Sequence, residues 1–204
     1  DWGRIQWPQW GFFNARNAAM AALAAAFAAG HRDPTAFGLQ ALGQFKGVRR
    51  RQEMLACTER GTVLVDFAHH PTAVRETLAS LRRRFPGRHL VACFEPRSNT
   101  SCLRIHQSAY ELAFDVADEI HLGPVFRAER YADSERIDLA GMARRLGNKA
   151  RAYSDHAALK RVLLEPGRLA PRSVVVFFSN GSFENLPQEL AGVLEEDDAH
   201  ADGN

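Results

Sequence analysis

The sequence predicts an α/β fold: a mostly parallel β-sheet with helices on both faces. Short apolar runs alternate with segments of helical spacing from about residue 62 onward. Strands that are separated by helices return in the same direction, which favours parallel pairing. The 204 residues are 46% hydrophobic and 25% charged, which is ordinary for a globular chain, so one main domain is expected.

Two helices are predicted ahead of that alternating pattern. Residues 11–29 are rich in strong helix formers, and Gly30 stands where such a helix would end. Asp33 and Pro34 have the form of an N-cap followed by proline at the first helical position, and they predict a second helix that reaches about Gly43. The alanine-rich run at 18–29 is shorter than the roughly 20 residues that span a bilayer, so we interpret it as a packing helix.

The alternating pattern follows a predicted hairpin over residues 54–66. A helix then begins at Pro71 and ends at Pro86-Gly87, with Val74, Leu78, Leu81 and Phe85 as its apolar face. Further strands are predicted at 89–94, 119–122, 150–153 and 173–178, and further helices at 137–146, at 155–164 and around 186–194. Another helix is predicted from an apolar stripe made of Ile105, Ala109, Leu112, Ala113 and Val116. The acidic residues 195–198 are expected to form a solvated tail.

Charge and cysteine content exclude several classes of protein. The chain has 26 basic and 24 acidic residues and a formal net charge of +2, which predicts neither a nucleic-acid partner nor a membrane-binding face. The three cysteines, Cys57, Cys93 and Cys102, match no metal or disulfide pattern, and they fit a reduced, cytoplasmic compartment.

Polar loops follow three of the predicted strands. They are residues 66–71, 95–100 and 179–182. Ligands of such sheets bind beyond the carboxyl ends of the strands, so we expect these loops to share one rim.

Composition alone leaves the role of each rim residue open. His69 and His70 could be metal ligands, a catalytic base or a turn; no Cys or acidic cluster completes a metal site, and contact with an anion at the start of the next helix is favoured. Asp66 fits a cap and a ligand contact equally well. Arg97, on a proline-stiffened loop, is either a fork for a carboxylate or phosphate or a surface residue. Arg51 belongs to a basic run that is either solvated or clamps a polyanion.

Two nucleotide-binding motifs are not found in the sequence. No G-x-G-x-x-G follows the early strand, which argues against a dinucleotide-binding domain. No G-x-x-x-x-G-K-[ST] occurs either, so we expect the chain to have no ATPase activity of its own.

Five sequence motifs together resemble the Mur ligases, and among them the murein-tripeptide ligases. They are Asp66-Phe67-Ala68-His69-His70-Pro71-Thr72, Glu95-Pro96-Arg97-Ser98-Asn99-Thr100, Ser179-Asn180-Gly181, Gly11-x-x-Asn14-x-x-Asn17 and Arg50-Arg51-Gln52-Glu53. Their order and spacing match over nearly the whole chain. The resemblance implies that residues 1–46 are a helical remnant of a central ATPase domain, and that residues 47–204 are a Rossmann-like carboxyl-terminal domain. Since the chain starts without Met, we expect it to lie inside a longer protein.

The same resemblance implies an activity and its partners. Such an enzyme joins UDP-N-acetylmuramate to the recycled tripeptide L-Ala-γ-D-Glu-meso-diaminopimelate, through an acyl phosphate formed with ATP. Mg²⁺ would be held mostly by the central domain, and the amino-terminal and central domains of the same protein would be the partners of this chain, which alone would be inactive. The alternatives are a UDP-N-acetylmuramate:L-alanine ligase domain, and a module that binds muropeptide or nucleotide without catalysis.

The resemblance also implies a role for each motif residue. Asn14 and Asn17 would approach the adenine, Arg51 the ATP phosphates and Asp66 the ribose, while His69 and His70 would lie near the reacting centre, where Arg51 would also act. The residues that would bind the peptide are Glu95, Arg97, Ser98, Asn99, Thr100, Asn180 and Gly181. The sequence departs from the family pattern at Phe13 (commonly His), Val65 (commonly Asp) and Ser182 (commonly Gly). The first two departures bear on nucleotide contacts, and the third bears on peptide specificity.

Overall fold

The computed structural model describes residues 2–201 and divides into two compact units, Asp1–Arg49 and Arg50–Asn204. Each unit is described by itself. No helix among residues 2–201 has both the length and the apolar character that a membrane crossing requires.

The first unit contains the helix α1, Phe12–Ala28, then a 3-10 turn at Pro34–Ala36 and the short helix α2, Gln40–Gly43. The prediction of α1 is confirmed, and Gly30 ends it with φ +83°. Asp33 caps as predicted, since its side chain accepts a hydrogen bond from Thr35 N. The prediction of one continuous helix to Gly43 is wrong, because Phe37 is extended and Gly38, a weak helix former, follows it.

The second unit is built on a six-stranded sheet with the order β1-β2-β6-β3-β4-β5. Strand β1 pairs antiparallel with β2, as the predicted hairpin requires, and every other neighbouring pair is parallel. The strands are β1 Glu53–Cys57, β2 Gly61–Asp66, β3 Leu90–Phe94, β4 Glu119–Leu122, β5 Ala150–Ala152 and β6 Ser173–Phe178. The prediction of a mostly parallel α/β sheet is confirmed.

Helices cover both faces of this sheet, as predicted. They are α3 Pro71–Arg84, α4 Gln107–Ala113, α5 Leu139–Leu146, α6 His156–Leu163 and α7 Leu186–Ala201. Strand β6 shows why both faces are apolar: Val174, Val176 and Phe178 pack with α3, α4 and α5, whereas Val175 and Phe177 pack with α6 and α7. Side chains alternate along a strand, so a parallel strand covered on both sides needs an unbroken apolar run.

The predicted apolar stripe at 105–116 is right at Ala113, which is buried, and wrong at Ile105 and Leu112, which are 75% and 74% exposed. The other buried positions in this segment are Tyr110 and Phe114, and Ala117 follows directly after it. The aromatic rings decide the register, since Tyr110 and Phe114 lie one helical turn apart and both contact the ring of Phe94. A 3-10 turn at Phe114–Val116 ends the helix.

The structure also describes the acidic residues near the carboxyl terminus and the three cysteines. Residues 195–198 belong to α7 and are mostly exposed, so the predicted acidic tail is solvated but helical. Cys57, Cys93 and Cys102 are free thiols.

The order of the strands determines where the loops meet. Strand β6 lies between β2 and β3, and its last residue, Phe178, is in register with Asp66 on one side and with Phe94 on the other. The chain passes from β2 to β3 over one face of the sheet and returns to β6 over the other. Such a reversal is a topological switch point, where open α/β sheets bind ligands beyond the carboxyl ends of their strands.

Glu119 lies at the start of β4, at the amino-terminal end of the strands, and is close to three basic side chains. Its carboxylate lies 3.3 Å from His89 Nε2 and 2.9 Å from His121 Nε2, the latter outside hydrogen-bond geometry, and it accepts a hydrogen bond from Arg168. The neighbouring His121 and Arg168 lower the pKa of Glu119 to about 2, although burial opposes this shift. The carboxylate therefore stabilises the folded state in its ionised form.

We expect Glu119→Gln to lower the free energy of unfolding by about 2 kcal/mol at neutral pH, a figure that allows for partial solvent screening. Because the folded-state pKa lies below that of the unfolded chain, this stabilisation is fully present above about pH 4.5 and is lost as the pH falls toward about 2. Urea unfolding of both proteins between pH 2 and 7 measures the difference. The control is Glu59→Gln, whose side chain is 84% exposed; an equal effect of the two substitutions would contradict the assignment.

Candidate functional site

Three loops converge at the carboxyl ends of β2, β3 and β6, as predicted from the sequence. We call this region, residues 66–70, 95–101 and 179–184, the carboxyl rim. Backbone hydrogen bonds join the loops directly: Ser179 N donates to Asp66 O over 3.2 Å, and Glu95 N donates to Phe178 O over 3.0 Å. The polar residues after these strands are thus held side by side.

Glu95 is the most deeply buried charged residue of the carboxyl rim, with 0% exposure. Its Oε1 lies 3.3 Å from Arg97 Nη1 and 3.0 Å from His156 Nε2, and its Oε2 accepts a hydrogen bond from the Ser179 hydroxyl. A buried carboxylate needs such partners, because burial without them is costly. Glu95 therefore holds other rim residues in place, and its own contact with a peptide stays a prediction.

Arg97 is held on several sides and is still partly open to solvent. Its guanidinium lies 3.8 Å from the centre of the Phe126 ring, while its side chain retains 28% exposure. Phe126 is fixed by its N–H, which donates to Pro96 O over 2.9 Å. Gly181 lies against Cδ, Nε and Nη1 of Arg97. A Cβ added to Gly181 would lie only 2.6 Å from Arg97 Nη1. A planar guanidinium presented in this way can bind a carboxylate or phosphate with two hydrogen bonds.

The loop after Arg97 is organised by a buried hydroxyl. Ser101 Oγ accepts hydrogen bonds from Arg97 N and Ser98 N over 3.0 and 2.9 Å. Ser98 Oγ also contacts Ser101 Oγ, while Asn99 and Thr100 are exposed. Ser98 thus contributes to the shape of the loop, and Asn99 and Thr100 are the members of this motif that face solvent.

Arg50, which the sequence analysis did not select, ties the last rim loop to the start of β1. Its guanidinium donates to the carbonyl oxygens of Ser179, Asn180 and Gly181. The neighbouring Arg51 is exposed, and its guanidinium lies 5.5 Å from the centre of the Phe67 ring. Of the two arginines, Arg51 is the one whose charge is available to a ligand.

Asp66 is 3% exposed, and each of its carboxylate oxygens accepts a backbone hydrogen bond. Oδ1 accepts from Ala68 N over 2.7 Å, and Oδ2 accepts from Gln52 N over 2.9 Å. Burial raises the pKa of Asp66, against the opposing effect of these two N–H groups and of Arg51. Of the two roles that composition left open, these contacts are those of a backbone anchor; the ribose contact stays a prediction.

The two histidines of the carboxyl rim differ in their surroundings. His70 is exposed and caps α3, with its Nδ1 accepting from Thr72 N over 3.3 Å, and its ring lies 4.9 Å from that of His106. His69 Nδ1 lies 3.0 Å from Phe67 O, and the His69 carbonyl accepts from the Tyr110 hydroxyl. Within residues 2–201, no group of three or more His, Cys, Asp or Glu side chains could hold a metal ion.

Asn14 and Asn17 belong to the first unit. They lie three residues apart on α1, and Asn14 Nδ2 donates to Trp10 O over 2.7 Å. Asn17 is exposed. Their proposed approach to an adenine remains a prediction.

Sequence reasoning missed several residues that shape the carboxyl rim. They are Arg50, Ser101, Phe126 and His156. His156 follows β5 and begins α6, so inspection of the loop after every parallel strand, rather than after three of them, would have included it. Phe126 lies in a loop with no sequence periodicity, and no sequence signal marks it.

Comparison with known proteins matches one family model to residues 50–181. Its description is "Mur ligase, glutamate ligase domain". The matched segment contains nearly all of the carboxyl rim. It is also most of the second unit.

Curated relatives carry two different names. A UDP-N-acetylmuramate–L-alanine ligase from Roseiflexus sp. is 37% identical over 166 residues, which is 77% of this chain and 33% of the relative. A UDP-N-acetylmuramate–L-alanyl-γ-D-glutamyl-meso-2,6-diaminoheptandioate ligase from Haemophilus influenzae is 30% identical over 194 residues, which is 94% of this chain and 40% of the relative. The chain therefore spans about a third to two fifths of the length of these relatives.

A solved structure supports the fold. The UDP-N-acetylmuramate–alanine ligase from Thermotoga maritima aligns with a TM-score of 0.68 and 22% identity over 92% of this chain and 39% of that one. At this identity the likeness concerns the fold alone.

We expect Gly181→Ala to displace the Arg97 guanidinium while the fold is retained. The added Cβ would overlap Cδ, Nε and Nη1 of Arg97, so this side chain must move and its contact with the buried Glu95 weakens. The Arg97 Nε–H resonance in ¹H–¹⁵N spectra should shift, and the free energy of unfolding should fall by about 1–3 kcal/mol.

The matched control is Gly192→Ala in α7, where an added Cβ meets no atom within 4 Å. This substitution should leave the Arg97 resonance unchanged. An unshifted Arg97 resonance in Gly181→Ala would show that Gly181 does not determine the position of this side chain.

Proposed function

Because the chain belongs to the Mur ligase family, we propose that it is the carboxyl-terminal domain of an ATP-dependent amide ligase. The proposed reaction joins UDP-N-acetylmuramate to the tripeptide L-Ala-γ-D-Glu-meso-diaminopimelate in the cytoplasmic recycling of peptidoglycan. Residues 1–46 would then be the end of a central ATPase domain and residues 47–204 the third domain.

The observation that carries this proposal is the placement of Arg97 in the carboxyl rim. An amide ligase must bind an amine substrate, and amino acids and peptides bring a carboxylate with that amine. Arg97 offers a planar cation that is oriented by Phe126 and Glu95 and is partly open to solvent. Such a fork suits a carboxylate with fixed geometry.

A second candidate is ligation of L-alanine, which the name of the Roseiflexus relative favours. Two observations support the tripeptide instead. The Haemophilus relative matches 94% of this chain, and the segment Glu95-Pro96-Arg97-Ser98-Asn99-Thr100 resembles the signature of the murein-tripeptide ligases. Both reactions form an amide on the same muramate carboxylate, so they differ only in the amine that the carboxyl rim would accept.

In the proposed mechanism, this chain contributes binding and positioning. ATP, when bound, would activate the muramate carboxylate as an acyl phosphate. Arg51 fits a role toward its phosphates, because it is exposed beside Phe67. Asp66 would support this site indirectly, because its buried carboxylate accepts hydrogen bonds from the backbone N–H groups of residues 52 and 68 and holds them in place. Mg²⁺ would be held mostly by the central domain of the same protein, since residues 2–201 contain no group of three or more His, Cys, Asp or Glu side chains that could hold a metal ion.

Charge and orientation would supply the catalytic benefit. Arg97 would hold the peptide so that its amine meets the activated carboxylate, which lowers the entropic cost of the reaction. Positive charge near the reacting centre would stabilise the oxyanion that forms on attack. Asn180 Oδ1 is buried without a hydrogen-bond partner among the described residues, which makes it a candidate acceptor for a ligand N–H after a small rotation.

We expect the full-length protein, given ATP and UDP-N-acetylmuramate, to release phosphate with the tripeptide and to release much less with L-alanine. Mass spectrometry of the product identifies the amide. In the same protein, Arg97→Ala should raise KM for the tripeptide roughly 10- to 100-fold, because a bidentate charged contact is lost, and should leave KM for ATP nearly unchanged. Preference for L-alanine would favour the second candidate, and turnover with neither amine would remove the proposed function.

Substitution of Arg50 should affect mainly the stability of the fold, whereas substitution of Arg51 should affect mainly ATP binding. Arg50→Ala should lower the free energy of unfolding by about 2 kcal/mol, because three backbone carbonyls lose a charged donor. Arg51→Ala should leave stability within about 0.5 kcal/mol and weaken ATP binding. Thermal unfolding and nucleotide titration of the two variants make the comparison, and an inverted pattern would exchange the roles assigned to them.

A further inference from the structure

His156 links two carboxylates at the edge of the carboxyl rim. It begins α6 immediately after the N-cap residue Asp155, and its side chain is 12% exposed. Its Nε2 lies 3.0 Å from Glu95 Oε1, and its Nδ1 lies 3.3 Å from Glu184 Oε1. The edge of the ring meets Phe183 at an angle of 84°, so its orientation is fixed by packing as well as by the hydrogen bond to Glu95.

The turn that carries Glu184 is unusual. Phe183, Glu184 and Asn185 have φ angles of +55°, +49° and +66°, a conformation that side chains other than glycine rarely adopt. Three such residues in succession persist only when surrounding contacts hold them, and they often mark functional loops. His156 supplies one of these contacts through Glu184, and Phe183, which is 1% exposed, supplies another by packing in the core.

The two donors on Glu95 Oε1 differ in their exposure. Arg97 and His156 share this oxygen, but Arg97 retains 28% exposure and His156 only 12%. If Arg97 were the only charged or polar donor to this oxygen, the buried carboxylate would draw the guanidinium inward and cancel much of its charge. A second donor satisfies part of the carboxylate and leaves more of the Arg97 charge and more of its N–H groups for a ligand.

We propose that His156 is a positioning residue for the amine substrate: by binding Glu95 from the side of α6, it keeps the Arg97 guanidinium turned toward the carboxylate of the incoming amino acid or peptide. This inference rests on the proposed function. His156 is not expected to touch the substrate, and its effect passes through Glu95 and Arg97.

The two nitrogens of His156 can be tested separately. An amide nitrogen of glutamine can reach the position of Nε2, which contacts Glu95, whereas that of asparagine reaches only the position of Nδ1, which contacts Glu184. His156→Gln therefore preserves the contact on which the inference depends. His156→Asn preserves the other contact, and His156→Ala removes both.

The experiment measures KM and kcat of the full-length protein for the amine substrate and for ATP. We expect His156→Ala and His156→Asn to raise KM for the amine substrate about tenfold, with kcat and KM for ATP changed less than about twofold, and His156→Gln to restore most of the loss. The matched control is His89→Ala, which removes a 3.3 Å contact between an imidazole and Glu119. This contact lies at the amino-terminal ends of the strands, away from the carboxyl rim. This variant should leave every kinetic constant unchanged.

Two results would overturn the inference. If His156 only stabilises the fold, thermal stability will fall in His156→Ala while KM for the amine substrate stays at the parent value. If Glu184 rather than Glu95 is the important partner, asparagine will rescue KM and glutamine will not.

A binding measurement separates this inference from the proposed function. The 204-residue chain is titrated with the tripeptide, and in a second series with L-alanine, while the Arg97 Nε–H resonance is followed by NMR. About tenfold weaker binding of either ligand in His156→Ala, restored in His156→Gln, supports the inference even if the full-length protein ligates neither amine. Equal binding by all variants, or no response of Arg97 in the parent chain to either ligand, contradicts it.

Discussion

A carboxylate that is fully withdrawn from water must be satisfied by the protein, and Glu95 imposes this constraint on the carboxyl rim. Its partners come from three separate parts of the chain: Arg97 from its own loop, Ser179 from the loop after β6, and His156 from the start of α6. Removing one of them leaves part of a buried charge unsatisfied, which costs about 1–3 kcal/mol. The geometry of the rim is therefore cooperative, because the position of each partner depends on the same carboxylate.

The sheet makes this convergence possible. Strand β6 is inserted between β2 and β3, so Phe178 stands in register with Asp66 and Phe94, and the residues that follow leave the sheet at one level. Hydrogen bonds to the backbone then hold the loops that follow the strands. Asp66 fixes the start of one loop, and Arg50 donates to three carbonyl oxygens of another. The sheet thus brings together polar residues that lie up to 131 positions apart in the sequence.

The fold was predictable because its signals are local and repeated. Apolar runs such as that of β6 and the helical spacing of Val74, Leu78 and Leu81 each require burial on known faces, and all of these residues are buried. The register of α4 was not predictable from hydrophobicity, because Ile105 and Leu112 are apolar and yet exposed; the packing of Tyr110 and Phe114 on Phe94 decides it. The motif loops were correctly placed on one rim, but long-range partners such as His156 and Phe126 depend on tertiary contacts that no sequence period encodes.

Adjacent residues in the carboxyl rim can have opposite roles, which limits what a motif alone can tell. Arg50 adopts φ +60°, and its guanidinium reaches back to the loop at residues 179–181, whereas Arg51 is exposed beside Phe67. The same division holds between Glu95, which is buried, and Arg97, which is partly open. In both pairs one residue is fixed by protein contacts so that its neighbour can present charge outward. A ligand-binding rim of this kind needs residues that hold as well as residues that bind, and the family resemblance assigned neither holding role: it left Arg50 without a role and gave Glu95 to the peptide.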